Sequence, residues 1–66
     1  MQIILNGKPY FLENALTLDD LVKKLNCQVG SIAIAVNQNI IPHANYLEYW
    51  LAQNDQVEIV TAFQGG

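Results

Sequence analysis

The chain has 66 residues, of which 52% are hydrophobic and 14% are charged, and its formal net charge is −3. A chain this short allows one domain and buries only ~60% of the surface that it exposes when unfolded, so a large enclosed substrate pocket is not expected. Three lysines and no arginine are too few for the phosphate neutralisation on which nucleic-acid binding depends. The composition therefore favours a single carrier or binding domain that spans residues 1–66. The net negative charge fits a protein partner with a basic docking face, or it simply keeps the protein in solution.

The cysteine count and the apolar runs indicate a compartment. Cys27 is the only cysteine, so the chain cannot form an intrachain disulfide, which favours the reducing cytoplasm. The apolar start at residues 1–5 is interrupted at Asn6, too early for a secretory signal peptide. No apolar run approaches the ~20 residues of a membrane span. The sequence thus predicts a soluble cytoplasmic protein.

The N-terminal segment predicts a β-hairpin. Residues 3–5 form a short apolar strand, and Asn6-Gly7 is the dipeptide best suited to a two-residue hairpin turn, because both residues tolerate a positive φ. Residues 8–12 return as the second strand. Pro9 has no N–H to donate, so this strand is expected at an edge of the sheet.

Thr17 marks the expected start of the main helix. Its hydroxyl can cap the first turn, and the carboxylates of Asp19 and Asp20 suit the positive end of a helix, which explains them without a catalytic carboxylate pair. Asn26 is the expected stop. The spacing i, i+3, i+4, i+7 makes one apolar stripe that should pack on a sheet, formed by Leu18, Leu21, Val22 and Leu25.

The rest of the chain predicts short strands joined by turns. Ser31–Val36 is a third strand, with Ile32, Ile34 and Val36 on one face and two alanines, Ala33 and Ala35, on the other, where they either pack closely or face solvent. The remaining elements in chain order are a turn at 37–39, an extended piece at 40–42, one helical turn at 45–48, a turn at 53–56 and a β-branched strand at 57–61.

A fold class follows from the order of these elements. A helix that crosses one face of a mixed sheet buries the apolar stripes most economically. The first and last strands are the most apolar at their centres, so we expect them side by side and parallel. The sequence therefore predicts an α+β protein of the β-grasp type, with four to five strands on one main helix and a C-terminal tail at 62–66.

The tail ends in Phe63, Gln64, Gly65 and Gly66. A glycine pair lacks Cβ atoms, so a terminal carboxylate can enter a narrow channel of another protein. Adenylation by ATP would turn the Gly66 carboxylate into an acylating group, and attack by sulfide would then give a nucleophilic thiocarboxylate. A frayed end or an added vector remnant would give the same two glycines without that chemistry.

Five stretches of the chain, in this order and spacing, resemble the ThiS family of sulfur carriers for thiamine thiazole biosynthesis. They are residues 3–7, 17–22, 33–37, 40–42 and 55–61, followed by Gln64-Gly65-Gly66. The resemblance implies that Gly66 is adenylated and then thiocarboxylated, and that Gly65, Gln64 and Phe63 are guided into the active sites of partner enzymes.

The same resemblance implies the partners. They are an E1-like adenylyltransferase of the ThiF type, a thiazole synthase of the ThiG type that accepts the sulfur, and a sulfur donor protein. ATP and magnesium would belong to the adenylating partner, so the chain itself would bind no cofactor or metal and would act as a co-substrate and not as an enzyme. Neither nucleic acid nor a membrane is implied.

Some positions depart from the family pattern, and other functions fit part of the sequence. His43 stands where a basic residue is usual, and Asn54 replaces a turn glycine but tolerates the left-handed conformation. Gln38-Asn39 replaces a Gly-Glu-like turn. The alternative functions are the small subunit of molybdopterin synthase, a ubiquitin-like modifier joined to lysines through Gly66, and a β-grasp interaction module without covalent chemistry.

Three further features have a plain interpretation beside a functional one. Cys27 at the helix end is either a small hydrophobic residue or a sulfur-relay thiol, and the first is favoured. His43 has no second histidine or paired cysteine for a metal site, so a surface position is expected. The aromatic cluster of Tyr46, Tyr49 and Trp50 covers the open end of the core or faces a partner, and Phe63 is the best candidate for a docking contact.

Overall fold

The computed structural model describes residues 1–61, and the four predicted site residues of the tail lie outside them. Within that range the chain forms one α-helix, five β-strands and two short 3₁₀ helices. The strands are β1 (Gln2–Leu5), β2 (Lys8–Phe11), β3 (Ile32–Val36), β4 (Asn39–Ile41) and β5 (Gln56–Thr61). The helix α1 spans Leu18–Lys24, and the 3₁₀ helices span Val29–Ser31 and His43–Glu48.

The predicted hairpin is confirmed. β1 and β2 pair antiparallel, with Leu5 opposite Lys8, and the two turn residues Asn6 and Gly7 have φ angles of 51° and 84°. This left-handed conformation is the one that an asparagine–glycine turn supplies at low cost. β2 lies at the edge of the sheet, as expected from Pro9.

The sheet has the strand order β2-β1-β5-β3-β4. β1 and β5 are parallel neighbours, with Leu5 opposite Val57, and this confirms the predicted pairing of the first and last strands. β5 also pairs antiparallel with β3, from Val36 opposite Val57 to Ile32 opposite Thr61. β5 is therefore the central strand of a mixed sheet, which is the β-grasp arrangement.

The helix begins as the sequence predicts. The Thr17 hydroxyl accepts a hydrogen bond of 3.1 Å from the Asp20 N–H, and the Asp20 carboxylate accepts one from the Thr17 N–H, so the two residues form a capping box. Asp19 pairs with Lys23 one turn later, at 3.1 Å. Asn26 follows the helix with a φ of 59°, in the left-handed conformation that ends many helices.

The core lies between α1 and one face of the sheet. Its buried members are Ile3, Leu12, Leu18, Leu21, Val22, Ile34, Val36, Tyr46, Leu51 and Val57. Alternation along the strands turns the neighbouring side chains to the opposite face, which we call the open face because no element among residues 1–61 packs on it. Ala33 and Ala35 lie there, which resolves the question left by the sequence in favour of the solvent side.

Several predicted boundaries shift by a residue or more. β1 and β5 each begin one residue earlier than predicted, β2 ends one residue earlier, at Phe11, and β4 spans Asn39–Ile41 where 40–42 was predicted. Ser31 belongs to a 3₁₀ turn and not to β3, and the helical turn expected at 45–48 is a longer 3₁₀ helix over His43–Glu48. None of the helices among residues 1–61 has the length and the apolar character needed to cross a membrane.

Candidate docking surface around the end of β5

The functional residues predicted from the sequence belong to the tail. The described element nearest to them along the chain is β5. Phe63, Gln64, Gly65 and Gly66 lie outside the described residues. β5 ends at Thr61, so the surface around its last residues is the one from which the tail begins. Along the chain, this surface is the described part of the molecule nearest to Gly66.

β5 is fixed at its N-terminal end by a set of side-chain hydrogen bonds. The Asn37 side chain accepts a hydrogen bond of 3.0 Å from the Gln56 N–H and donates one of 3.0 Å to the Asp55 carboxylate. The other Asp55 oxygen accepts a hydrogen bond of 2.8 Å from the Ala52 N–H. These contacts join the turn after β3 to the turn before β5, so the strand starts from a defined position.

Among the described residues, the C-terminal part of β5 pairs with another strand on one side only. On the β3 side, pairing continues to Thr61. On the β1 side, pairing stops at Val57, because β1 has ended at Leu5. The side-chain oxygen of Asn6 then accepts a hydrogen bond of 2.9 Å from the Ile59 N–H, in the place where a further β1 residue would have bonded.

An apolar patch covers the open face beside this end of β5. We call it the open-face patch and define it as Ala33, Ala35, Ile40, Glu58 and Val60. Cross-strand pairing brings the five together, since Ala33 lies opposite Val60, and Ala35 lies between Glu58 and Ile40. Ile40 is 72% exposed and Val60 is 62% exposed. Because the alanines between them are small, a partner surface can approach the backbone closely.

The open-face patch has one charged member, the carboxylate of Glu58. The lysines point elsewhere: Lys23 and Lys24 are in α1, on the other side of the sheet, and Lys8 lies in register with the core-facing Leu5. The patch is thus apolar with a single negative charge near its centre. A complementary partner would present an apolar surface with one basic side chain opposite Glu58.

Sequence reasoning missed this patch, although its signal is in the sequence. The alternation of Val57 and Ile59 with Glu58 and Val60 assigns the last two to the face opposite the core. What the sequence lacks is the pairing of β3 with β5, which brings the two alanines beside these residues.

The aromatic cluster is divided between the core and the exposed surface. Tyr46 is 2% exposed and belongs to the core, and Tyr49 packs against the core from a half-buried position. Trp50 is 62% exposed and Leu47 is 69% exposed. Burial raises the pKa of the Tyr46 hydroxyl above its ordinary value, and a backbone hydrogen bond at Ile34 acts in the opposite direction.

The remaining candidates have structural roles or exposed positions. Cys27 is half-buried and packs against the core, as expected of a small hydrophobic residue. His43 is exposed and meets the ring of Tyr46 edge-on, with 5.2 Å between the ring centres. Residues 1–61 contain no cluster of potential metal ligands and no enclosed cavity.

Comparisons with known proteins give a consistent result. A family model described as the ThiS family matches residues 3–66. Among curated proteins, the uncharacterized protein ycf40 of Porphyra purpurea is 30% identical over 66 residues, which cover 100% of this chain and 93% of that protein. The sulfur carrier protein ThiS of Escherichia coli is 26% identical, and the match covers 100% of both chains.

Two solved structures have the same fold as this chain over its whole length. The crystal structure of a thiamine biosynthesis protein, ThiS, from Geobacter metallireducens superposes with a TM-score of 0.86 at 23% identity, covering 100% of this chain and 99% of that one. A solution structure of a thiamine biosynthesis protein from the same organism gives a TM-score of 0.83 at 22% identity. At these identities, the likeness establishes the shared β-grasp fold.

Proposed function

The chain belongs to the ThiS family, and from this premise we propose that it is a sulfur carrier for thiamine thiazole biosynthesis. The observation that carries the proposal is the family match, which runs from residue 3 to Gly66, together with the end-to-end match to the sulfur carrier ThiS of Escherichia coli. The Gly66 carboxylate is the group that is activated and loaded. The chain is a protein co-substrate of partner enzymes and does not itself catalyse the reaction.

The chemistry at Gly66 has two steps. In the first, a carboxylate oxygen attacks the α-phosphorus of ATP, pyrophosphate leaves, and the C-terminus becomes an acyl-adenylate. In the second, a sulfide equivalent from a sulfur donor protein attacks the acyl carbon, and AMP leaves with the oxygen that it had taken. The product is a thiocarboxylate, whose sulfur is the nucleophile that thiazole synthase uses.

The partners divide the work according to this chemistry. An E1-like adenylyltransferase of the ThiF type holds ATP and magnesium, as the resemblance to the ThiS family implies. A thiazole synthase of the ThiG type accepts the sulfur. Both enzymes enclose the tail residues Phe63, Gln64, Gly65 and Gly66, and the whole exchange takes place in the cytoplasm.

The described surface supports this arrangement. The open-face patch lies beside the residue at which β5 ends, so a partner that covers it is placed next to the start of the tail. Its one charge, on Glu58, gives the contact a preferred orientation if the partner places a basic residue opposite. A narrow tail beside a broader apolar contact is a suitable design for a protein substrate that several enzymes recognise in turn.

The proposal is tested by ATP–pyrophosphate exchange. The purified chain is incubated with a ThiF-type adenylyltransferase, magnesium and ATP, and the exchange of labelled pyrophosphate into ATP is measured. We expect exchange with the unmodified chain, and none when one residue is added after Gly66 or when Gly65 is replaced in Gly65→Ile. No exchange with the unmodified chain, or equal exchange with the extended one, would refute the proposal.

A further inference from the structure

The geometry points to a second recognition element at the end of β5, formed by its backbone and not by side chains. We propose that the edge of residues 59–61 pairs with an extended peptide segment of the enzyme that adenylates Gly66, which adds a short strand beside β5. This inference rests on the proposed function for the identity of that enzyme. The observations that carry it concern backbone hydrogen bonds of the described residues.

The direction of each backbone group in β5 follows from its known bonds. On the β1 side, the Ile4 N–H donates to the Asp55 carbonyl and the Asn6 N–H donates to the Val57 carbonyl, at 2.8 and 2.9 Å. On the β3 side, the Asn37 N–H donates to the Gln56 carbonyl. Because successive residues of a strand point to opposite sides, the odd-numbered residues of β5 direct their N–H and C=O groups toward β1 and the even-numbered ones toward β3.

β1 ends too early to use all of these groups. The Ile59 N–H reaches the side chain of Asn6, as described above. The Ile59 carbonyl and the Thr61 N–H point to the same side, beyond the last residue of β1, and form no hydrogen bond within residues 1–61. The groups on this edge are therefore, in chain order, the Ile59 carbonyl as an acceptor, the Thr61 N–H as a donor and the Thr61 carbonyl as a second acceptor.

On the side of the hairpin turn, the described residues leave room beside this edge. Gly7 ends that turn, and a Cβ atom built on Gly7 would meet no heavy atom of residues 1–61 within 4 Å, its two chain neighbours apart. Thr61 itself is exposed. A peptide strand approaching β5 in the line of β1 would thus meet the hairpin turn only at its end.

The chemistry of the edge selects an extended backbone as the occupant. A row of unpaired N–H and C=O groups on a strand is complemented by another strand, which supplies donors and acceptors at the same spacing. Residues 59–61 are Ile-Val-Thr, without the lysine or proline that commonly protects exposed edges from such pairing. Pairing here would also align the tail, because the added strand fixes the last residues before it.

The test uses total chemical synthesis, which is practical for 66 residues. In one variant the peptide bond between Val60 and Thr61 is replaced by an ester, which removes the Thr61 N–H from the proposed edge. This variant is called the Thr61 ester. In the matched control the peptide bond that carries the Leu21 N–H is replaced by an ester, which removes the donor to the Thr17 carbonyl in α1 and weakens the fold without touching the edge or the open-face patch. Dissociation constants for a ThiF-type adenylyltransferase and free energies of unfolding are measured for both variants and for the unmodified chain.

We expect the Thr61 ester to raise the dissociation constant about three- to tenfold, the factor that corresponds to one lost hydrogen bond. The Leu21 ester should bind as the unmodified chain does, although it is the less stable variant. In addition, hydrogen exchange at the Thr61 N–H should be fast in the free chain and slowed in the complex.

Three outcomes would overturn the inference in distinguishable ways. Equal affinity of the Thr61 ester and the unmodified chain would exclude pairing at this edge and leave the proposed function standing. An equal loss of affinity in both esters would assign the effect to the stability of the fold. If the unmodified chain does not bind the adenylyltransferase at all, the proposed function fails together with the inference.

Discussion

The side-chain amide of Asn37 donates a hydrogen bond of 3.0 Å to the carboxylate of Asp55, eighteen residues later in the chain. The same side chain accepts the N–H of Gln56, the first residue of β5. The Asn37 side chain thus donates a hydrogen bond to Asp55 and accepts one from the next residue, Gln56. Because β5 is the central strand and ends where the tail begins, this contact helps to fix the position from which the tail is presented.

The Asn37–Asp55 contact can be tested by exchanging its two groups. In Asn37→Asp a second carboxylate replaces the amide donor, so two negative charges face each other, and we expect a loss of stability of about 1–2 kcal/mol at neutral pH. Combining it with Asp55→Asn returns one amide and one carboxylate to the pair and should recover part of that loss. Urea unfolding of the two single variants and the double variant measures the coupling. Strictly additive losses would show that the contact contributes nothing.

Asn6 is expected to be more sensitive to mutation than its exposed position suggests. It has a φ of 51°, and its side-chain oxygen accepts the hydrogen bond from the Ile59 N–H. Alanine adopts a positive φ only at an energetic cost, and it has no side-chain acceptor. We expect Asn6→Ala to lower the free energy of unfolding by about 2 kcal/mol, about half from each effect. Asn6→Gly keeps the backbone freedom and loses only the acceptor, so it separates the two contributions. A loss below 0.5 kcal/mol for the alanine variant, on the order of a neutral surface change, would contradict this explanation.

Tyr46 is expected to make the free energy of unfolding depend on pH in the alkaline range. Its pKa is raised in the folded state by burial, so the folded chain keeps the phenol proton at a pH where the unfolded chain has lost it. The stabilisation is therefore fully present below the unfolded pKa of ~10 and is lost as the pH rises through the folded pKa. Tyr46→Phe has no proton to lose. We expect its free energy of unfolding to fall less between neutral and strongly alkaline pH than that of the unmodified chain, and parallel curves would show that Tyr46 is not responsible.

The open-face patch is tested by adding a charge to it. Val60→Glu places a second carboxylate on the patch, and because Val60 is already 62% exposed the fold should be little affected. We expect the KM of the chain in ATP–pyrophosphate exchange to rise about tenfold or more, the effect of a buried charge at an interface.

The matched control for Val60→Glu is Leu47→Glu. Leu47 is 69% exposed and lies in the 3₁₀ helix that contacts α1, away from the open face. It undergoes the same gain of a carboxylate and should leave the KM unchanged. A similar rise in both variants would indicate that net charge, and not the patch, determines recognition.

The elements that the sequence predicted well are those with local signals. Asn6-Gly7 specifies the hairpin, Thr17 and Asp20 specify the helix start, and Asn54 takes up the expected left-handed turn with a φ of 68°. Each signal acts through neighbouring backbone atoms, so it does not depend on the rest of the fold. The parallel pairing of β1 with β5 was also predicted, because these two strands are the most apolar and belong at the centre.

What the sequence did not predict depends on contacts between distant residues. The role of Ala33 was left open because a small side chain fits a packed face and a solvent face equally well, and only its position opposite Val60 decides between them. The capture of the Ile59 N–H by Asn6 joins residues 53 positions apart and has no local signature. The two tyrosines and Trp50 fall within one irregular segment, so their division between core and surface required the structure.

The most direct test of the central claim is the intact mass of the chain purified from cells that make thiamine. A sulfur carrier should carry a fraction of molecules in which one oxygen is exchanged for sulfur, and fragmentation should place that exchange at Gly66. The fraction should vanish when the adenylyltransferase is deleted. If the chain is never found with sulfur at Gly66, or is found instead attached through Gly66 to the lysines of larger proteins, it is not a sulfur carrier for thiazole synthesis.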